Sequence, residues 1–308
     1  MSAGFVFPGQ GSQEVGMLGA FASEDAVVRT LAQADAALGL PLSRLIAEGP
    51  EAELNRTEVT QPALLTASVA LWRLWRARGG GDPVAMAGHS LGEYSALVCA
   101  DALEFEDAVR LVQLRGRLMQ RAVPEGQGAM AAILGLDDGD VAACCAAVDG
   151  VVSPANFNAP GQIVIAGASA AVDAAIERCK AQGAKRAIRL AVSVPSHCAL
   201  MKPVAEEFAA AVGAVSLRAP RVPVVQNVDG TVSTSPDEVR ARLVRQLSEP
   251  VRWTRCIEAM SALGVRTFVE CGPGRVLAGL VKRIDRTAST QGLADAASFA
   301  QALAGGAT

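Results

Sequence analysis

Histidine is scarce in this sequence of 308 residues, which contains only His89 and His197. A zinc site built on histidine is therefore nearly excluded, and any histidine base must be one of these two residues. The seven cysteines form no C-x-x-C pair and no small disulfide framework. Their odd number is typical of proteins in a reducing cytoplasm, so we expect a cytoplasmic protein without a bound metal.

Long apolar runs and a surplus of positive charge are also missing. No apolar stretch reaches the roughly 18 residues that span a bilayer. The first ten residues have no basic segment before the apolar ones, so neither a membrane anchor nor a signal peptide is expected. The net charge of −3 argues against nucleic acid as the main partner. Hydrophobic residues make up 51% of the chain, enough to bury an ample core.

Alternating strand and helix patterns in the first part of the chain predict an α/β fold with a parallel sheet. Buried strands are expected at 4–7 and 84–87, and helices at 91–100 and 107–119. A longer helix is expected to begin at Pro62, because proline is favoured in the first helical turn.

A different pattern follows between residues 126 and 193. It has the order strand, helix, strand, strand, helix, strand, which is the ferredoxin-like arrangement. We therefore predict a small α+β domain at 126–193, inserted into a larger parallel-sheet domain formed by 1–125 and 194–308. In the resumed part, a strand is expected at 222–227 and a last short helix near 294–303.

The segment Gly88-His89-Ser90-Leu91-Gly92 fits the pattern G-x-S-x-G between a predicted strand and a predicted helix. In such an elbow the serine lies on a tight turn between small residues, and the next helix offers free N–H groups. The pattern fixes only three positions, so a chance match is the alternative. Because the strand and the helix are both in place, we favour Ser90 as a nucleophile.

A nucleophilic serine needs a base. His89 is adjacent to Ser90 in sequence and would point away from its side chain, so we interpret it as a packing residue of the elbow. His197 follows the predicted inserted domain, at a domain junction where clefts commonly form. A lone histidine is most often a surface or core residue, but here it is the remaining candidate, and we favour it as general base.

A glycine-rich loop, Phe7–Gln13, follows the first predicted strand. Glu14 stands where a dinucleotide loop needs its third glycine, and no phosphate-binding G-x-x-x-x-G-K-[ST] pattern exists. The loop could present a backbone N–H to an oxyanion, or it could be an ordinary turn. Arg115 lies on a predicted helix and Gln246 lies near the end of another. Their positions alone assign no role to either residue.

Seven segments resemble the malonyl-CoA:acyl carrier protein transacylase family in family order and over nearly the whole chain. They are Phe7–Gln13 (FPGQGSQ), Gly88–Ser95 (GHSLGEYS), Arg115–Met130 (RGRLMQRAVPEGQGAM), Asn156–Gly167 (NFNAPGQIVIAG), Val192–Met201 (VSVPSHCALM), Gln246–Trp253 (QLSEPVRW) and Val269–Leu277 (VECGPGRVL). The resemblance implies a hydrolase-like α/β domain with an inserted ferredoxin-like domain. It also implies malonyl-CoA and acyl carrier protein as partners, with coenzyme A thioester as substrate and no cofactor.

The resemblance further implies a role for each matching site residue. Ser90 would be the acyl nucleophile and His197 its base, held by the main-chain carbonyl of Gln246. The backbone N–H groups of Gln10 and Leu91 would form the oxyanion hole.

Arg115 would pair with the free carboxylate of the malonyl group. Its planar fork can bind both carboxylate oxygens and stays charged when buried.

Three alternatives stay open. A serine esterase or thioesterase would share Ser90 and His197 but would not use Arg115. A carrier-binding subunit without activity would not be acylated. A related transferase could serve a polyketide or malonate pathway. For docking of an acidic carrier protein, two basic pairs are candidates: Lys185 with Arg186, and Lys282 with Arg283.

Overall fold

The computed structural model describes residues 2–124, 126–191 and 194–306. Its strands, in chain order, are β1 (Ala3–Phe7), β2 (Ala85–Gly88), β3 (Gly128–Leu134), β4 (Val152–Ala159), β5 (Gln162–Ala168), β6 (Arg186–Arg189), β7 (Val224–Val225), β8 (Thr267–Glu270) and β9 (Ser289–Gly292). Its α-helices are α1 (Asp25–Leu38), α2 (Leu42–Glu48), α3 (Glu51–Leu54), α4 (Thr57–Ala77), α5 (Gly92–Cys99), α6 (Phe105–Ala122), α7 (Asp138–Ala146), α8 (Ser169–Ala181), α9 (Lys202–Ala214), α10 (Pro236–Arg245), α11 (Trp253–Ala262), α12 (Val276–Ile284) and α13 (Ala296–Gly306). No helix within the described ranges is long and apolar enough to cross a membrane.

Five strands form a parallel sheet in the order β7-β2-β1-β8-β9. The central strand β1 carries Phe5 and Phe7, both fully buried, as expected where helices cover both faces of a parallel sheet. The carboxyl ends of β1, β2 and β7 lie side by side, because Phe7 pairs with Gly88 and Ala87 pairs with Val225. Loops from these three ends therefore converge at one edge, where open α/β sheets bind ligands.

The second sheet is antiparallel and has the order β4-β5-β3-β6. With α7 and α8 packed on it around a separate apolar core, it gives the ferredoxin-like arrangement predicted from the element order. The fold class is thus confirmed. Glu125, Val192 and Ser193, at the predicted domain junctions, lie outside the described residues, and the exact boundaries stay a prediction.

Strand β4 joins the second sheet to the larger body through main-chain hydrogen bonds. The N–H of Phe157 donates to the carbonyl of Val251 at 2.9 Å, and the N–H of Val251 donates to the carbonyl of Ala155 at 2.9 Å. On the neighbouring strand, Arg283 of α12 donates from Nη1 to Oε1 of Gln162 at 2.6 Å. The small sheet is therefore held beside the carboxyl edge of the large one.

Helix α4 begins at Thr57, so the expectation that Pro62 opens it was wrong. The missing N–H of proline would face the carbonyl of Glu58, so only one hydrogen bond near the helix start is lost. Gly116 of α6 packs against this extra turn: a Cβ there would lie 2.7 Å from the carbonyl oxygen of Thr57. The first turn of α4 therefore packs closely against α6, a long-range contact that sequence periodicity does not show.

The expected strand at 222–227 shrinks to the two residues of β7. Pro223 has no N–H to give to a ladder, and the N–H of Gln226 turns away to donate to the carbonyl of Thr231 at 2.9 Å. The last helix is α13, two residues later than expected at its start. Helices α1, α2 and α3 and the edge strand β9 were not predicted from the sequence.

Candidate active site

Ser90 lies on the turn between β2 and α5 with a φ of 51°, a left-handed conformation that is rare for residues other than glycine. Glycines on both sides make room for this turn. A Cβ at Gly88 would overlap the backbone of Gly92, and a Cβ at Gly92 would overlap the carbonyl oxygen of Phe7. The local geometry is that of a nucleophile elbow, which presents the serine hydroxyl at the carboxyl edge of the sheet.

His197 lies with its Nε2 atom 2.7 Å from Oγ of Ser90, although 107 residues separate the two. Its Nδ1 atom lies 2.6 Å from the main-chain carbonyl oxygen of Gln246. A carbonyl can only accept a hydrogen bond, so Nδ1 carries the proton and Nε2 keeps its lone pair for the serine. This is the tautomer that a general base requires.

Burial, reinforced by the positive charge of Arg115, lowers the pKa of His197 to about 3. The imidazole is 3% exposed and is therefore neutral over the ordinary pH range. The other histidine, His89, makes no hydrogen bond to Ser90 and instead pairs its Nε2 with Oδ1 of Asn158 at 2.8 Å. Its ring packs against that of Trp253, in agreement with the interpretation of His89 as a packing residue.

Arg115 comes from the middle of α6 and is only 1% exposed, which overturns the ordinary expectation of a solvated helix arginine. Its Nη2 donates to Oγ of Ser90 at 3.2 Å and to Oε1 of Gln246 at 3.0 Å, and its Nη1 donates to Oε1 of Gln61 at 2.9 Å. No carboxylate of the described chain forms an ion pair with it. Burial lowers the pKa of Arg115, yet a guanidinium stays charged in proteins, so the pocket carries a cation with no ion-pair partner among the described residues.

The glycine-rich loop after β1 lies directly against the elbow. A Cβ at Gly9 would stand 2.6 Å from the carbonyl oxygen of His89, so only glycine allows this approach. The backbone N–H of Gln10 and that of Leu91, at the start of α5, donate to no atom of the residues described. These two free amides border the same pocket as Ser90.

The pocket at this edge has a volume of about 140 Å³ and lies between the two sheets. Gln10, Ser90, Leu91, Arg115 and His197 line its polar side. Its apolar side is lined by Met119, Met130, Val164, Leu190 and Val194. Of the predicted site residues only Gln246, which is fully buried, lies behind the pocket wall.

Three buried polar residues of the site escaped sequence analysis. Gln61 binds Arg115, while Asn227 accepts from the N–H of Ser90 through its Oδ1 at 2.7 Å. Glu93 accepts hydrogen bonds from Asn227 and Gln246. A signal for Glu93 was present, because it is the only charged residue of α5, which is buried throughout. No cluster of three or more side chains able to ligate a metal occurs within the described ranges.

Comparisons with known proteins show the family to which the chain belongs. The family model described as "Acyl transferase domain" matches residues 4–300. The Malonyl CoA-acyl carrier protein transacylase of Escherichia coli (strain K12) is 58% identical over 302 residues, covering 97% of this chain and 98% of the relative.

Two solved structures share the whole fold. An acyl carrier protein S-malonyltransferase from Vibrio cholerae has a TM-score of 0.96 at 54% identity, over 98% of this chain and 100% of its own. A malonyl-transacylase structure in complex with its type II PKS acyl-carrier protein has a TM-score of 0.97 at 53% identity, over 99% and 100%. The chain belongs to the acyl transferase domain family and, within it, to the malonyl-CoA:acyl carrier protein transacylases.

Proposed function

We propose that this protein transfers a malonyl group from malonyl-CoA to the phosphopantetheine thiol of acyl carrier protein, in fatty-acid or polyketide synthesis. Relatives that cover nearly the full chain carry this activity in their names, and one solved relative is bound to an acyl carrier protein. One observation on the residues of this chain supports the proposal most directly. Oγ of Ser90 lies 2.7 Å from a neutral histidine and 3.2 Å from a buried arginine without an anionic partner.

In the first half-reaction, Oγ of Ser90 attacks the thioester carbonyl of malonyl-CoA while Nε2 of His197 takes the hydroxyl proton. The tetrahedral oxyanion is stabilised by the free N–H groups of Gln10 and Leu91. Each such donor is worth roughly 3 kcal/mol in comparable hydrolases. When the carbon–sulfur bond breaks, the coenzyme A thiolate takes the proton from His197, and a malonyl ester remains on Ser90.

The second half-reaction runs through the same atoms in the opposite direction. His197 takes the proton of the pantetheine thiol, and the thiolate attacks the malonyl-serine ester. Collapse of the oxyanion returns the proton to Ser90 and releases malonyl-carrier protein. One thioester is exchanged for another, so the reaction is close to balanced and reversible. Every proton and acyl group has a donor and an acceptor in these steps, and we propose that no cofactor takes part.

Arg115 selects the substrate in this scheme. The malonyl carboxylate would pair with the guanidinium and supply the anionic acceptor that Arg115 lacks in the described chain. An acetyl group has no carboxylate and would leave the cation without an ion-pair partner. The base is held by the main-chain carbonyl of Gln246, so an acidic third member of the triad is not required.

A cytoplasmic location is part of the proposal. All seven cysteines are free thiols and all are buried, which suits a reducing compartment.

The proposal is tested by transfer to the carrier protein. The enzyme is mixed with malonyl-CoA and holo-acyl carrier protein, and the carrier's mass is followed; we expect a gain of one malonyl group. Carrier protein without its phosphopantetheine arm is the control and should gain nothing. Release of free malonate with no malonyl-carrier would instead indicate a thioesterase.

A further inference from the structure

Glu93 is a buried carboxylate that the reaction steps above do not use. It is the second residue of α5 and is 1% exposed. No cationic side chain of the described chain forms an ion pair with it. Removing an unpaired carboxylate from water costs several kcal/mol, so its neighbours must compensate for the charge.

Three neutral donors provide that compensation. Oε2 of Glu93 accepts from the backbone N–H of Asn227 at 2.9 Å and from Nε2 of Gln246 at 2.9 Å. Oε1 accepts from Nε2 of Gln226 at 3.2 Å. Each donor comes from the loop after β7 or from the residue after α10. The carboxylate therefore joins these two segments to α5 by hydrogen bonds.

The bond from Gln246 to Glu93 helps to fix the orientation of the Gln246 side-chain amide, together with the bonds of that amide to Arg115 and to the carbonyl of Ser90. A carboxylate only accepts and a guanidinium only donates, so the NH₂ group must face Glu93 and Oε1 must face Arg115. The amide thereby bridges a buried anion and a buried cation, with 2.9 Å on one side and 3.0 Å on the other. The reversed amide would place two donors against each other at Arg115.

The same residue also holds the base and the nucleophile. The main-chain carbonyl of Gln246 accepts from Nδ1 of His197, and its Nε2 donates to the carbonyl of Ser90 at 3.0 Å. Asn227, whose N–H binds Glu93, accepts from the N–H of Ser90 and donates from Nδ2 to the carbonyl of Gly88 at 2.8 Å. Glu93 is therefore connected to Ser90, His197 and Arg115 through a single intervening residue, either Gln246 or Asn227.

We propose that Glu93 is a positioning residue. It orients the Gln246 amide so that Arg115 is held for the malonyl carboxylate, and it keeps Ser90 and His197 in the geometry that the reaction needs. The assignment rests on the function proposed above and concerns the same site. It predicts that neutralising Glu93 impairs use of the malonyl carboxylate more than acyl transfer in general.

Opposing effects act on the pKa of Glu93. Burial raises its pKa to about 7, against the hydrogen bonds from Asn227, Gln246 and Gln226 and the charge of Arg115. The titratable groups that interact with it are Tyr94 of α5, Arg115 of α6 and Cys256 of α11; burial raises the pKa of the phenol and of the thiol, so both are neutral. Arg115 is then the only charge among them. Protonation of Glu93 would remove the anionic acceptor of the Gln246 amide, which would then be held only by its bonds to neutral acceptors and to Arg115.

The test is Glu93→Gln, which keeps the size of the side chain and removes its charge. Self-acylation rates of the full-length protein are measured with malonyl-CoA and with acetyl-CoA, without carrier protein. We expect malonylation to slow by about tenfold or more, because small displacements of a positioned group cost that much. We expect the malonyl-to-acetyl ratio to fall as well, which a general loss of structure would not cause.

Glu270→Gln is the matched control. Glu270 is also a fully buried carboxylate, and it accepts from the N–H groups of Leu277 and Ala278 at the start of α12 without touching the site. This variant should lose stability and keep its malonyl-to-acetyl ratio. An unchanged rate and ratio in folded Glu93→Gln would overturn the positioning role, whereas a wild-type enzyme that is never malonylated would overturn the proposed function.

If Glu93→Gln does not fold, the wild-type enzyme provides the test. The malonyl-to-acetyl ratio is then measured one pH unit below and one pH unit above the pKa of Glu93, since His197 stays neutral across this window. The ratio should be lower at the acidic value. Equal ratios at both values would contradict the proposal.

Discussion

Nδ1 of His197 lies 2.6 Å from the main-chain carbonyl oxygen of Gln246, so a backbone group holds the imidazole where many serine hydrolases use a carboxylate. A neutral carbonyl stabilises an imidazolium less than an anion does. Burial and the nearby guanidinium lower the pKa of His197 despite the hydrogen bond to this carbonyl, so the folded protein has a histidine that resists protonation.

His197→Ala should therefore make the protein less sensitive to acid. The folded pKa of about 3 is below the ordinary value of 6.5, so between these values the unfolded chain binds a proton that the folded chain does not. The free energy of unfolding must then fall as the pH drops below about 6.5, by about 2 kcal/mol at about pH 5. Thermal unfolding of the two proteins across this range measures it. The Tm difference should move in favour of the variant on acidification, and a constant difference would contradict the low pKa.

Arg115→Ala should abolish the preference for malonyl-CoA. Without the guanidinium, the malonyl carboxylate would be buried with no charged partner, at a cost of about 2–5 kcal/mol. Acetyl transfer should rise relative to malonyl transfer, as measured by competition between the two thioesters. Arg117→Ala is the control, because Arg117 lies on the same helix but is exposed and pairs with Glu58. A malonyl preference that survives Arg115→Ala would show that Arg115 does not bind the substrate.

Gly92→Ala should destabilise the protein. The added methyl group would overlap the carbonyl oxygen of Phe7, and overpacking of this kind costs about 1–3 kcal/mol. Gly139→Ala in α7 is the comparison: nothing lies within 4 Å of its new Cβ, so alanine there should be neutral or stabilising. Denaturant unfolding gives both free energies. Equal stability of the two variants would mean that the elbow can relax around a side chain.

Sequence patterns predicted most of the architecture, because buried strands and amphipathic helices can be recognised from the spacing of apolar residues within short segments. The order of strands and helices and the elbow around Ser90 follow from glycines and apolar runs within short segments. The start of α4 does not, because the turn before Pro62 packs against Gly116 of a helix distant in sequence. The roles of Gln61 and Asn227 were hidden for the same reason, since their partners are 54 and 137 residues away in the chain.

Docking of the carrier protein is expected to use Lys282 rather than Arg283. Both are exposed at the end of α12, but Arg283 donates to Gln162 on the small sheet and so helps to join the two sheets. Lys282→Glu should raise the KM for acyl carrier protein and flatten its salt dependence, because rim charges act mainly on encounter. The rate of self-acylation with malonyl-CoA should change little.

Lys180→Glu is the control for this change, since Lys180 pairs with Glu177 on the outer helix α8. An unaltered KM for the carrier in Lys282→Glu would remove this lysine from the docking surface and leave Lys185 and Arg186 as the next candidates.

The central claim is that Ser90 carries the malonyl group between the two thiols. Intact mass of the enzyme after brief mixing with malonyl-CoA, in the absence of any carrier protein, tests it most directly. The wild-type protein should gain one malonyl group, located by peptide mapping on Ser90, and Ser90→Ala should gain none while keeping its fold. Malonylation of Ser90→Ala to the wild-type extent, or of another residue in the wild-type protein, would contradict the account.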